Sequence, residues 1–259
     1  MIPFAPLPAW ALALAALAAA AVAGWSLGRA WPRRRWWIDV VVGVSLAFVG
    51  SGLCTVVVAF LLGGSLSAKP AEMTSGPWLL AAVAGTTAAE VFLAAYAGLV
   101  PRWPRGVSRQ DWLLGLVAGP AFVLLSGLWV TGLDALGLAP EGQLVAEALL
   151  TEAPWVAATA LLSVTLLAPV LEEAVFRGWL LPTLCESGRP RLALLVQALA
   201  FGAMHLDAPL LVPPLCFIGL ACGYLRLRSG SLGPAILAHL GNNAIAAAVL
   251  LGSAAGHPG

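Results

Sequence analysis

Charge is scarce in this sequence. Only 10% of its 259 residues are Asp, Glu, Lys or Arg, while 61% are hydrophobic. Soluble domains average about 25% charged residues. Such a chain cannot cover a soluble surface with polar groups, and no separate soluble domain is evident. It reads as a membrane protein that crosses the bilayer several times. The net charge of +1, with no basic run longer than Arg33, Arg34 and Arg35, gives no footprint for nucleic acid.

Other scarcities narrow the reading further. The four cysteines, Cys54, Cys185, Cys216 and Cys222, lack CxxC spacing and lie in or beside apolar runs. They read as small buried hydrophobes rather than disulfides or metal ligands. No strand-like alternation and no obvious repeat is present. The N-terminal stretch "MIPFAPLPAWALALAALAAAAVAG" lacks the basic start of a secretory signal, and its apolar run is long enough to span. It reads as a retained helix.

What is present is apolar segments of spanning length, for which about 20 residues suffice. Eight are expected, at about 8–28, 38–63, 78–100, 111–138, 155–184, 191–206, 209–227 and 231–252. The fold class is therefore all-α, a polytopic transmembrane bundle of about eight spans with a polar intramembrane cavity. Tryptophans near the connections fit an interfacial belt. With eight spans, one side holds Arg29, Arg33, Arg34, Arg35, Arg102, Arg105, Arg109, Arg189, Arg191, Arg226 and Arg228. The other holds Lys69, Glu72, Glu141, Glu147 and Glu152. The positive-inside rule makes the arginine side cytoplasmic and places both termini outside. A compact Ala/Leu/Arg-rich chain suggests the plasma membrane of a bacterium.

Few ionisable groups remain within the spans. Glu90 and Asp134 are isolated. Glu172, Glu173 and Arg177 lie on the fifth span, His205 ends the sixth, and His239 lies in the eighth with Asn242 and Asn243 just after it. The chain has only three histidines and two asparagines, so this concentration is informative. Each charge at the bilayer centre costs about 2.5–3.5 kcal/mol on insertion scales. Helix geometry sorts the cluster. Adjacent Glu172 and Glu173 point about 100° apart and should serve different partners. Glu173 and Arg177 share a face at i,i+4 and can neutralise each other. Glu172 is then the carboxylate without a local counter-ion. His239 and Asn243 share the same spacing, as do Phe201 and His205. A cavity lined by Glu172, His205, His239 and Asn243 can hold and activate a water. Asn242 is expected to bond to a neighbouring helix. One expectation sits awkwardly. Counted from Arg191, His205 lies roughly 21 Å deep, whereas His239, counted from Ser231, lies about 12 Å deep.

These motifs resemble a known family. "EEAVFRG", "FGAMH" and "HLGNN" are similar to the EExxxR, FxxxH and HxxxN motifs of the CPBP family, the CAAX-protease and bacteriocin-processing (Abi) intramembrane proteases. The resemblance covers about 165–245. It divides the chain into N-terminal helices of unassigned function (1–150), a catalytic core of four helices (151–252) and a short tail (253–259). It implies an intramembrane endopeptidase acting on a membrane-associated protein or peptide. Glu172 would activate a water that His205 helps to orient. His239 and Asn243 would stabilise the oxyanion, while Glu173, Arg177 and Phe201 shape the site. The cofactor question stays open between a divalent metal such as zinc and none. Glu172, His205 and His239 can supply three zinc ligands with a fourth position open, or a base and two hydrogen-bond partners. The HExxH helix of zinc proteases is absent. Two other readings compete: a non-catalytic scaffold or immunity-type binding protein of the same fold, and a proton-coupled transporter using the carboxylates. The lack of a repeat argues against the transporter.

Overall fold

A computed structural model describes residues 9–30, 36–61, 76–96, 106–138, 154–206 and 208–255. These residues form helices and short turns, with no strand among them. This is the expected outcome for a chain in hydrocarbon, where each backbone N–H must find its partner within the segment. Helices α1 (Ala9–Ala30), α2 (Trp36–Leu61), α3 (Gly76–Tyr96) and α4 (Arg109–Ala135) are followed by α5 (Pro154–Cys185). Then come α6 (Pro190–Ala203), α7 (Val212–Ser229) and α8 (Gly233–Ala255). Each expected span has its helix. By length and composition, however, five stretches among the described residues can cross a membrane: Val40–Ala59, Arg109–Ala135, Pro154–Cys185, Pro209–Ser229 and Gly233–Ser253. Helix α6 has only 14 residues, roughly 21 Å at 1.5 Å per residue, against a hydrocarbon core of about 30 Å. Arg33, Arg34, Arg35, Lys69, Glu72, Arg102, Arg105, Glu141, Glu147 and Glu152, which enter the sidedness reading, lie outside the described residues. So does the expected domain boundary near residue 150.

The chain forms two compact units, Met1–Val100 and Pro101–Gly259. In the first, Gly24 of α1 lies against the Phe92 carbonyl of α3, and Gly85 of α3 lies against Thr55 of α2. Val58, Ala59 and Ala81 form its buried centre.

The second unit contains α4 to α8. Its contacts depend on small residues that let helix backbones approach. On α4, Gly115 and Gly119 face Pro234 and Ala238 of α8. On α7, Gly219 and Gly223 face Ala198, Leu194 and Gln197 of α6. Both pairs have GxxxG spacing, which puts two glycines on one face. A Cβ on Gly119 would stand 2.8 Å from Ala238 O and 3.0 Å from the Asn242 nitrogen. Gly119→Leu is therefore expected to cost about 1–3 kcal/mol through overpacking. Thermal melts in detergent should show it, and an unchanged melt would mean that α4 and α8 do not pack at this point.

One end of this unit is tied by charge. Ser108 caps α4, accepting from the Asp111 backbone N–H at 3.1 Å and donating to Asp111 Oδ2 at 2.6 Å. Arg228, in the last turn of α7, donates from Nε to Asp111 Oδ1 at 2.7 Å. The start of α4 thus meets the end of α7. Elsewhere in the unit, Trp129 Nε1 donates to the Leu210 carbonyl at 2.7 Å, holding the turn before α7. Pro213 and Pro214 sit in the first turn of α7, where their missing N–H groups cost no helix bond. Pro209 opens a short 3₁₀ turn, Pro209–Leu211.

Helix α5 is not uniform. It widens into π-helix at Ser163–Leu167 and again at Ala174–Leu180. Each stretch ends just before a proline, Pro169 or Pro182. A proline ring collides with the carbonyl four residues back and offers it no hydrogen. Widening the turn relieves the collision. Wide turns of this kind recur at functional sites, and the second begins directly after Glu173.

Candidate active site

The site begins with the buried pair on α5. Glu173 and Arg177 are both 0% exposed, with Arg177 Nη1 2.9 Å from Glu173 Oε1. The contact is an ion pair by distance rather than an aligned hydrogen bond, because Nη1 finds no acceptor in good geometry. The guanidinium is held by other groups too. It lies over the Phe201 ring of α6, 4.5 Å from the centroid, a cation–π contact that gains strength away from water. Nη2 donates to the Gly219 carbonyl of α7 at 3.2 Å. Gln197 Nε2 donates to the same oxygen at 2.9 Å. The expected self-neutralising pair is present, locked between α6 and α7.

Helix α8 brings His239, only 4% exposed. Its Nδ1 lies 2.9 Å from Glu173 Oε1, and its Nε2 lies 3.6 Å from Glu172 Oε2. This corrects the expectation that the two glutamates serve different partners. Side chains 100° apart on a helix diverge, but the two ring nitrogens of imidazole point in different directions and can meet one carboxylate each. The four groups therefore form a chain, Arg177–Glu173–His239–Glu172. Glu173 is sealed, whereas the Glu172 side chain keeps 17% of its surface accessible.

Around this chain the rings pack closely. Phe201 is 1% exposed, with the His239 ring 5.7 Å and the His205 ring 5.4 Å from it. Helix α6 ends at Ala203, so His205 lies in the following turn rather than within the helix. That resolves the depth mismatch: His205 and His239 share Phe201 as a neighbour. His205 Nδ1 lies 3.1 Å from the Phe201 carbonyl. Asn243, one turn beyond His239, donates from Nδ2 to the Val164 carbonyl of α5 at 2.8 Å. Asn242 donates to Asn243 Oδ1 at 2.9 Å, within its own helix rather than to a neighbouring one.

The profile of one protein family, described as type II CAAX prenyl endopeptidase Rce1-like, matches residues 154–245, from the start of α5 into α8. Over this segment the chain is similar to the Rce1-like family. The assignment agrees with the CPBP resemblance of the three motifs. No curated protein and no solved structure matches the chain. The Rce1-like family is a protease family, and the match supports a protease, as the apolar helices support an integral membrane protein.

The arrangement joins Glu172, Glu173, Arg177, Phe201 and His239 directly. His205 is joined through Phe201, and Asn243 through α5. Among the described residues, no hydrogen bond links His205 to Glu172 or His239. No three His, Cys, Asp or Glu side chains gather there as a metal-ligand set. One nitrogen of each histidine is engaged, His239 Nδ1 with Glu173 and His205 Nδ1 with a backbone carbonyl, which is how a metal-binding histidine is commonly oriented and leaves both Nε2 atoms available, but Glu172, His205 and His239 are not gathered into a ligand set in this arrangement.

Several contributors lie outside the three motifs. Gln197 is fully buried and shares the Gly219 carbonyl with Arg177. Arg226 Nε donates to the backbone carbonyl of Arg177 at 3.2 Å. A sequence signal exists for Gln197: it lies four residues before Phe201 and eight before His205, on one helix face. Asp134, one of the two isolated acids, lies exposed in the last turn of α4.

Proposed function

We propose that this protein is an intramembrane endopeptidase of the CAAX-protease type, with Glu172 as the base that activates water. The observation that carries the reading is the placement of His239 between one sealed and one accessible carboxylate. Glu173 is neutralised by Arg177 and accepts the Nδ1–H of His239. Glu172 takes a proton from a water that His205 helps to orient. The resulting hydroxide attacks the carbonyl carbon of the scissile peptide bond. His239 Nε2–H and an N–H of Asn243 donate to the oxyanion. Collapse of the tetrahedral intermediate expels the amine, which receives its proton from Glu172. Aligning such donors before the reaction is usually a large part of catalysis.

The substrate class is a membrane-associated protein or peptide. The same reading keeps about eight spans in a bacterial plasma membrane, with the arginine-rich loops cytoplasmic and both termini outside. The Arg228–Asp111 contact, which joins two ends from that side, supports the arrangement.

The test is reconstitution in liposomes with membrane-anchored peptides, prenylated and unmodified, and mass spectrometry of the products. Endoproteolytic products are expected. Failure to cut any anchored peptide, together with an unchanged substrate proteome in a Glu172→Gln strain, would reject the reading. In the same assay Asn243→Ala should lower kcat by about 10²–10³-fold, the usual loss for one oxyanion donor. A wild-type kcat would remove Asn243 from the oxyanion site.

A further inference from the structure

We propose that Pro169 and Asn242 are positioning residues that fix the amide of Asn243 with its nitrogen, not its oxygen, available to the reaction. The inference rests on the reading of Asn243 as an oxyanion donor. It starts from a property of the carboxamide group. Its oxygen and nitrogen have nearly the same shape, so a half-turn replaces two donors by an acceptor. An acceptor facing an oxyanion would repel it. A site that depends on Asn243 therefore needs something to set which end is which.

The wide turn before Pro169 supplies it. The N–H of Ala168 donates to Ser163 O, five residues back rather than four. Val164 O is consequently left for the nitrogen of Pro169, which carries no hydrogen. That carbonyl can only accept, and Asn243 Nδ2 donates to it at 2.8 Å. On the other side of the amide, Asn242 Nδ2 donates to Asn243 Oδ1 at 2.9 Å. One neighbour demands a donor and the other supplies one, so both ends of the amide are fixed. Nδ2 carries two hydrogens, and one remains for substrate.

The same arrangement occurs a second time on α5. Leu181 N–H donates to Phe176 O, again five residues back. Arg177 O is then left for Pro182, and Arg226 Nε donates to it from another helix. Two prolines thus each free one carbonyl of α5, and in both cases a polar side chain of a different helix takes it.

Pro169→Ala returns an N–H that competes with Asn243 for α5 carbonyls. The expected result is a fall in kcat of about tenfold with KM unchanged and a melting temperature unchanged or raised, because proline is the poorest residue for a helix interior. A purely structural proline would leave kcat at its wild-type value, and that result overturns the proposal. Combined with Asn243→Ala, Pro169→Ala should cause no further loss. Additive losses would place its effect on Glu172 instead and overturn the proposal too. Asn242→Ala, which keeps the proline, should lower kcat several-fold with KM unchanged, and it decides the matter if Pro169→Ala does not fold. A wild-type rate in Asn243→Ala would instead reject the oxyanion reading itself. An inactive Asn243→Ala beside fully active Pro169→Ala and Asn242→Ala would reject only the positioning role.

Discussion

Glu172→Gln is expected to reduce cleavage by about 10²–10⁴-fold, the range for loss of a general base, while the protein folds and melts as before. The substitution keeps the shape of the side chain and removes its basicity. It should be tolerated because Glu172 is partly accessible and His239 Nε2 stands 3.6 Å away, beyond ordinary hydrogen-bond length. The buried Glu173–Arg177 pair is left intact. Cleavage of an anchored peptide in liposomes reads the first effect, and thermal melts in detergent read the second. A wild-type rate would dismiss Glu172 as the base. A large fall in melting temperature would show that its charge holds the helices together.

Arg177→Met should do the opposite, acting first on the fold. Glu173 and Arg177 are completely buried and 2.9 Å apart. Removing one member of such a pair leaves an uncompensated buried charge, at a cost of about 3–5 kcal/mol. Removing both is often nearly neutral, because desolvation of the pair is also avoided. The double variant Glu173→Met/Arg177→Met is therefore expected to regain most of the lost stability. It should remain inactive, because His239 loses the carboxylate that holds its Nδ1 at 2.9 Å. Melting temperatures and cleavage rates of the single and double variants separate the two roles. Restored cleavage in the double variant would show that the pair is only a clamp.

How much of this was legible in the sequence depends on the range of the interaction. The i,i+4 relation of Glu173 to Arg177 is local, and the sequence predicts it directly. The same holds for the pairing of His239 with Asn243 on one face. The choice of Glu172 as the accessible carboxylate follows from that phase. What was not legible depended on helices meeting. Which carboxylate His239 approaches most closely is decided by how α8 packs on α5, a contact between residues 66 positions apart that no local pattern encodes. The place of His205 depended on where α6 ends, since a shift of two residues moves it from helix to turn. The wide turns of α5 had a local cause in Pro169 and Pro182, visible in the sequence. Their effect on Val164 and Arg177 required the structure, because only it shows which side chains take up the freed carbonyls.

The tie between Arg228 and Asp111 has a consequence for biosynthesis. The two residues are 117 positions apart. At elongation rates of about 5–20 residues per second, Asp111 leaves the ribosome roughly 6–23 s before its arginine. During that interval a carboxylate stands at the start of a membrane helix without its cation. Ser108 is already beside it, 2.6 Å from Oδ2. The capping serine thus acts as the first partner, and Arg228 joins it while the last helix, Gly233–Ala255, is still to be made.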